Sequence, residues 1–399
     1  MSGQPVDSQQ MNVPRAIVRS WPLVAAIAVL AALPALMMLT RHGRVAVEAA
    51  FYLPDMVLQL PGPRPIELFT EAPIRERVTI EYESRNGPRS IEADLYLPAS
   101  GDNHPGVVFS MGAPPLDLDE PRLVRVAEDI ARSGVVILVP FSERLDDEKI
   151  VPEEIDALVA EFQYVQKLPR VDPEEVGFFG ASVGGSLALV AAADPRIAGD
   201  VDLIVSFGGY FDALQTFGAI ATHHIEYDGV DEEWEPRKHA ERVMAHQLID
   251  AVDSPRDREL LRSWFLDDEP VETEELTTLT PVGRSSYDFL TNEDPEAVES
   301  LIARLPRDAV ARLDYLSPRT SIDRVEAEMI IIHDRADPFI PYTELRRMRD
   351  AIGDDDDVHF DEIRLFEHVE PRLAQRPDVI VFDTTRVLYR LYQLLLRWS

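Results

Sequence analysis

Residues 176–193 decide the fold. They read Val176-Gly-Phe-Phe-Gly180, then Ala181-Ser-Val-Gly-Gly185, then the apolar run Ser186-Leu-Ala-Leu-Val-Ala-Ala-Ala193. A β-rich run that leads into Gly-x-Ser-x-Gly and then into an Ala/Leu segment predicts a strand, a sharp turn and a helix, with Ser182 at the turn. Such a turn strains the serine backbone and needs small neighbours, which Gly180, Gly184 and Gly185 supply. The alternative is a glycine-rich loop with an incidental serine. If Ser182 is a nucleophile, the rest of the chain must supply a base, an acid and an oxyanion hole.

Composition limits the possible partners and chemistry. The 399 residues include 72 acidic and 39 basic side chains, which gives a formal net charge of −33. Nucleic-acid binding depends on Lys and Arg that neutralise phosphates, so we expect no nucleic-acid partner. The chain contains no cysteine, which excludes disulfides, thiolate metal sites and a cysteine nucleophile. A nucleophile in this protein is therefore an oxygen atom.

The amino-terminal 76 residues divide into a polar tail (1–20), an apolar segment (21–40) and a proline-interrupted linker (41–76). The segment 21–40 carries no charge, and twenty helical residues at about 1.5 Å each span the hydrocarbon layer of a bilayer. It predicts a single-pass transmembrane anchor with the large domain on the extracytoplasmic side. A cleaved signal peptide and a buried core helix are the alternatives.

The remaining sequence predicts a doubly wound, mostly parallel α/β sheet interrupted by a helical cap. Alternating residues from Arg77 indicate a hairpin, and continuous apolar runs separated by helical stretches indicate central strands covered on both faces. We expect the first part of this domain at 77–210 and the second at 326–399. Between them, 211–325 is charged, lacks the β-α rhythm and is predicted to be the cap.

The strand, sharp turn and helix around Ser182 form the pattern known as a nucleophile elbow. Two further motifs follow in the order that is expected after such an elbow. Asp337 comes just after the apolar strand that ends at His333, and His368 follows a strand about thirty residues later. The order Ser182, Asp337, His368 is typical of this type of elbow. His368 would take the serine proton, and Asp337 would fix the tautomer of the imidazole ring.

Other residues compete for these roles. Asp334 and Asp212 are alternative acids, since each lies near the end of a predicted strand. His333 and His359 are expected to be structural. His223 and His224, with Glu226 and Asp228, are a weaker candidate for a metal site.

With these motifs, the chain resembles α/β-hydrolase-fold serine hydrolases, in particular the dienelactone-hydrolase-like esterases and peptidases that carry a helical cap. The resemblance covers roughly residues 77–397 and rests on Gly180-Ala-Ser-Val-Gly184, Ala336-Asp-Pro-Phe-Ile-Pro341 and His368. It implies an oxyanion hole built from the backbone amides of Val183 and Ala113, the latter in Ser110-Met-Gly-Ala113. It implies no metal and no cofactor.

The sequence therefore predicts a membrane-anchored serine hydrolase that cleaves an ester or related acyl bond of a small-molecule or lipid-like substrate. An acyltransferase with the same triad and a non-catalytic binding protein on the same fold are the alternatives. The sequence leaves the substrate and the oligomeric state open.

Overall fold

The structure is a computed structural model that describes residues 37, 39–54, 64–267, 269, 272–372 and 375–398. Eight strands form its central sheet. In chain order the strands are β1 Ile74–Ser84, β2 Gly87–Leu97, β3 His104–Ser110, β4 Val136–Phe141, β5 Val171–Ala181, β6 Leu203–Phe207, β7 Glu328–Asp334 and β8 Val358–Ile363. Their spatial order is β1-β2-β4-β3-β5-β6-β7-β8. The β1–β2 and β2–β4 pairs are antiparallel, and every later pair is parallel.

Helices follow the strands as the β-α rhythm predicts. They are α1 Arg41–Tyr52, α2 Pro121–Arg132, α3 Glu143–Asp146, α4 Glu153–Gln166, α5 Val183–Ala192, α6 Ala213–Thr222, α7 Lys238–Ile249, α8 Pro255–Phe265, α9 Thr273–Leu276, α10 Pro281–Leu290, α11 Val298–Ile302, α12 Arg307–Tyr315, α13 Thr343–Ile352 and α14 Pro377–Arg397. Single 3-10 turns lie at Pro65–Leu68, Pro295–Ala297, Pro318–Thr320 and Ile322–Arg324.

The helices cover the two faces of the sheet in separate layers. In β4, Val136 and Leu138 pack with the cluster that contains α4 and α5, whereas Ile137 and Val139 pack with α2. Successive side chains of a strand point to opposite faces, so α4 and α5 lie on one face and α2 on the other. Burial on both faces explains why β3 to β7 read as continuous apolar runs rather than alternating ones. The sheet and its flanking helices form the α/β-hydrolase fold that the resemblance implied.

The segment 211–325 is mostly helical, and near its start it contains a feature that the sequence analysis did not predict. After α6, the strands His224–Tyr227 and Val230–Glu233 form a small antiparallel hairpin. Asp228 and Gly229 at its turn both have positive φ, of 52° and 72°. This is the backbone form that two-residue hairpin loops favour, and Asp-Gly is a preferred sequence for it.

The amino-terminal region differs from the predicted linker. Residues 41–52 form α1, whose Val45, Ala49 and Tyr52 are buried in a cluster shared with α14. These residues recur at helical spacing, so α1 has one apolar stripe and packs as an ordinary surface helix.

The predicted anchor at 21–40 falls, apart from Met37, Leu39 and Thr40, outside the described residues. Across the ranges that the structure describes, no helix combines the length and the apolar character that a bilayer crossing requires.

Candidate active site

Ser182 stands at the junction of β5 and α5 in a strained backbone conformation. Its φ and ψ are 58° and −135°, and its N–H donates to the carbonyl of Phe207 at 2.7 Å. The elbow leaves no space for side chains, because a Cβ on Gly180 would lie 2.5 Å from Cα of Gly185. Strain of this kind costs about 1–3 kcal/mol and is maintained only where the surrounding structure enforces it.

The loop after β3 lies directly against the elbow. A Cβ on Gly184 would be 2.2 Å from the carbonyl oxygen of Ser110, and a Cβ on Gly112 would be 3.1 Å from Oγ of Ser182. Val183 is the first residue of α5, and the first N–H groups of a helix have no partner within it. The chain around Ala113 and the start of α5 are thus both close to the serine hydroxyl.

His368 and Asp337 are in direct contact at the carboxyl edge of the sheet. His368 Nδ1 lies 2.6 Å from Asp337 Oδ2, and the two residues are only 8% and 1% exposed. The other carboxylate oxygen, Oδ1, accepts the backbone N–H groups of Phe339 at 2.8 Å and Ile340 at 3.1 Å. Gly208 leaves room for the pair, because a Cβ there would lie 3.2 Å from His368 Nδ1.

The surroundings of Asp337 favour its ionised form. Burial opposes ionisation, but the electrostatic interaction with His368 and hydrogen bonds from His333 and His368 outweigh it and hold the pKa of Asp337 well below its usual range. A carboxylate that stays charged beside an imidazole stabilises the imidazolium that forms when the ring takes a proton.

The two alternative acids have other partners in the described structure. Asp334 Oδ1 accepts the N–H of Ala336 at 2.7 Å and its Oδ2 accepts the N–H of Phe366 at 2.8 Å, which ties the end of β7 to the turn that carries His368. Burial raises the pKa of Asp334 to about 6. Asp212 caps α6 and forms an ion pair with Arg319 at 2.8 Å.

The remaining histidines named by the sequence analysis lie elsewhere or in supporting positions. His333 is buried behind the acid, with Nε2 3.0 Å from the carbonyl of Ile340 and 3.4 Å from Asp337 Oδ2. His359 lies near Glu328, at 3.8 Å.

His223 and His224 are adjacent in sequence, but their rings meet different carboxylates. The ring of His223 lies 3.3 Å from Glu241, whereas that of His224 lies 3.1 Å from Asp231. The described residues contain no cluster of three or more metal-ligating side chains.

The sequence analysis missed the residues of 211–325 that contact the site. His239 at the start of α7 donates from Nε2 to the carbonyl of Ala113 at 2.6 Å, while its Nδ1 faces a carboxylate oxygen of Glu148 at 3.2 Å. Trp234 donates its indole N–H to the carbonyl of Asp337 at 2.9 Å. No motif spacing links these residues to the elbow, because only the folding of the segment 211–325 brings them there.

Ser182 and His368 both line one cavity of about 480 Å³, together with Gly112, Ala113 and His239. Most of its wall is apolar, and the serine and histidine are among its few polar residues. An apolar cavity with a few convergent polar groups is the usual form of a small-molecule site. The arrangement suits a reaction in which an apolar group lies beside a serine hydroxyl.

No protein-family model and no curated protein matches the chain. Among solved structures it is similar to a putative dipeptidyl aminopeptidase IV from Bacteroides ovatus, with 15% identity and a TM-score of 0.46 over 81% of this chain and 36% of that one. It is also similar to the 2,6-dihydroxy-pseudo-oxynicotine hydrolase, with 16% identity and a TM-score of 0.45 over 82% and 69%. An esterase from Pyrobaculum calidifontis shows 16% identity and a TM-score of 0.42 over 96% and 98%. The chain thus spans about a third of the length of the peptidase. Because these similarities are so weak, the function of the chain has to be inferred from its own residues.

Proposed function

We propose that the protein is a serine hydrolase that cleaves a carboxylic ester or a related acyl bond through an acyl-enzyme on Ser182. The observation that carries the proposal is the buried 2.6 Å contact between His368 and Asp337, at the same sheet edge as the strained Ser182. A serine hydroxyl needs a neighbouring base to become a useful nucleophile, and the base needs a third group to orient it.

In the proposed mechanism, Oγ of Ser182 attacks the acyl carbon while His368 accepts the hydroxyl proton. The negative charge on the tetrahedral intermediate is stabilised by the backbone N–H groups of Val183 and Ala113, and each such donor lowers the barrier by about 3–4 kcal/mol. The acyl–oxygen bond then breaks, and His368 returns the proton to the departing alcohol. Water, activated by the same histidine, releases the carboxylic acid and regenerates the serine.

A panel of p-nitrophenyl esters, thioesters and amides tests this proposal. We expect hydrolysis of at least one class by the wild type and a loss of about 10³-fold or more in the Ser182→Ala variant, because no other group replaces the nucleophile. Ser186 is a suitable control, since its hydroxyl is buried and donates to the carbonyl of Tyr210 at 2.8 Å. Activity that survives in Ser182→Ala, or is lost only in Ser186→Ala, would contradict the proposal.

The proposal also includes the anchor at 21–40, with the catalytic domain on the extracytoplasmic side. It is supported by the absence of charge from these twenty residues and by the arginines that flank them. Extraction of cell membranes with alkaline carbonate should leave the protein in the membrane pellet. Protease added outside intact cells should then digest the domain, and its full protection would contradict the proposed orientation.

A further inference from the structure

The cavity at Ser182 continues along one face of the sheet, far beyond the reacting groups. Its floor is formed by alternate residues of three adjacent strands, which share one face because side chains alternate along a strand. These residues are Val107 and Phe109 in β3, Gly177 and Phe179 in β5, and Leu203, Val205 and Phe207 in β6. The floor therefore runs from the carboxyl ends of the strands, beside Ser182, to the middle of β3 and β5 and to the amino end of β6.

Two helices form the walls of this extension. On one side, α2 contributes Leu123, Val126 and Ile130. On the other, α14 contributes Val387, Leu391 and Leu394, and Trp398 lies at the far end. The spacing of three or four residues puts each apolar set on one helix face. The same helices also contribute Arg122 and Arg390 to the lining, and each of these is paired with a carboxylate, of Glu120 and Asp361 respectively.

The floor is less well covered than central strands usually are. Phe109, Phe179 and Phe207 are only partly buried, although they lie on three adjacent strands inside an eight-stranded sheet. By contrast, Val108 and Phe178, which point to the opposite face, are 0% and 1% exposed. Val107, Leu203 and Val205 of the same floor are buried, so the three phenylalanines form the part of this apolar strip that lacks the close packing of a protein core.

The length of the strip suits an elongated group. From Leu203 to Phe207 it covers four strand intervals, and from Gly177 to Ser182 it covers five, or about 13–17 Å at about 3.3 Å per residue. One end lies at Ser182 and His368, which both line the cavity. An unbranched apolar chain attached to the serine would lie along the strip.

We infer that this strip binds the long, unbranched acyl chain of a neutral lipid ester while its carbonyl carbon is attached to Ser182. The inference rests on the proposed function and narrows its substrate class. It follows from the continuity of the strip with the nucleophile and from the predominance of apolar side chains along its floor and walls. A net charge of −33 disfavours substrates with anionic head groups, which leaves neutral esters such as acylglycerols.

The chemistry of this step balances without a co-reactant other than water. Ser182 Oγ forms a bond to the acyl carbon as the acyl–oxygen bond to the alcohol breaks, and the alcohol leaves with the serine proton. Water then cleaves the acyl–serine bond, and the long-chain acid departs. Throughout both steps the alkyl chain would remain in contact with the floor of the strip.

A series of p-nitrophenyl esters from acetate to palmitate tests the inference. Each methylene that enters the strip should raise kcat/KM by up to roughly fourfold, as expected for burial of one CH2 group. Val126→Trp places an indole on the wall of the strip and should lower the palmitate-to-acetate ratio of kcat/KM at least tenfold. Val124→Trp makes the same change on α2 outside the cavity lining and should keep the wild-type ratio.

A flat chain-length profile in an active wild type would overturn the inference while leaving the proposed hydrolase intact. It would mean that the strip does not hold the acyl chain of the substrate. Equal loss of the ratio in both tryptophan variants would also overturn it, because the effect would then not depend on the strip.

A binding measurement separates the inference from the hydrolase proposal. Ser182→Ala cannot form an acyl-enzyme, yet it should still bind a fluorescent long-chain monoacylglycerol that unlabelled monopalmitoylglycerol displaces. Val126→Trp in the same background should weaken this binding at least tenfold, and Val124→Trp should not. Absence of saturable binding to Ser182→Ala would contradict the acyl-chain site, whether or not the wild type hydrolyses esters.

Discussion

Replacing Asp337 with asparagine tests whether the buried carboxylate supports catalysis. Its Oδ2 accepts a 2.6 Å hydrogen bond from Nδ1 of His368, and both groups are shielded from water. Asparagine keeps the shape but removes the charge. Removing one partner of a buried charged pair costs about 3–5 kcal/mol, and each 1.36 kcal/mol of barrier is tenfold in rate. If this cost is added to the energy of the transition state, in which His368 is an imidazolium, kcat should fall by about 10²- to 10⁴-fold.

Asp334 provides a matched control for this change. It lies three residues upstream and is fully buried, but its oxygens accept the backbone N–H groups of Ala336 and Phe366. Asp334→Asn removes part of that acceptor capacity, so it should lower the free energy of unfolding by about 1–3 kcal/mol. The folded variant should keep kcat within about tenfold of wild type.

Ester hydrolysis under saturating substrate, together with urea unfolding, distinguishes the two variants. The difference should lie in kcat: Asp337→Asn should lose about 10²- to 10⁴-fold, whereas Asp334→Asn should lose stability with a small change in rate. The reasoning would be refuted if Asp337→Asn stayed within tenfold of wild type, or if folded Asp334→Asn lost as much kcat as Asp337→Asn.

Three other perturbations have defined outcomes. Gly112→Ala puts a Cβ 2.9 Å from the Cβ of Ser182 and should lower kcat at least tenfold. Gly199→Ala, which has open space around it, should change neither kcat nor the melting temperature appreciably. Equal kcat in both variants would argue against close packing of the loop after β3 on Ser182. His239→Ala removes a hydrogen-bond donor to the carbonyl of Ala113, worth about 0.5–1.5 kcal/mol, and should lower kcat up to about tenfold. His239→Gln keeps a donor and should recover part of this loss. An unchanged rate of phosphonate labelling in His239→Ala would contradict this role. Burial raises the pKa of Glu161 from 4.5 to about 8, so the folded state holds an extra proton and the stability contributed by this group falls as pH rises through that range. In Glu161→Gln, the free energy of unfolding in urea should therefore differ less between pH 5 and pH 8 than it does in wild type. An equal difference in both proteins would refute the assignment.

The fold could be predicted largely because its central strands are buried on both faces. Burial of this kind produces uninterrupted apolar runs such as Val136–Phe141, which need no tertiary information to recognise. The elbow could be predicted for a related reason. Its strained serine requires glycines at fixed positions, and fixed positions are visible in a sequence.

The parts that were not predicted depend on contacts between distant segments. The sequence analysis assigns α1 to a linker because Pro54, Pro61, Pro63 and Pro65 interrupt the apolar clusters of this region. Its partner α14 lies more than three hundred residues away. His239 likewise had no local signal, since only the packing of the cap on the core brings it to the loop after β3.

The hairpin at 224–233 is a different case, because the sequence did contain its signal. Asp228-Gly229 stands between Tyr227 and Val230, and Asp-Gly between two short β-forming runs is a strong hairpin indicator. The surrounding helical and charged residues favoured a helical interpretation. Each strand has only four residues, which is too few for alternation to be decisive.

Mass spectrometry after labelling with a fluorophosphonate tests the central claim most directly. Labelling captures a serine only where a base has activated its hydroxyl, so it measures the proposed nucleophile without knowledge of the substrate. We predict one added phosphonyl group per chain, on the peptide that contains Ser182, and none in Ser182→Ala or His368→Ala. Stoichiometric labelling of another serine, or no labelling of the folded wild type between about pH 6 and 9, where histidine can act as a base, would contradict the account.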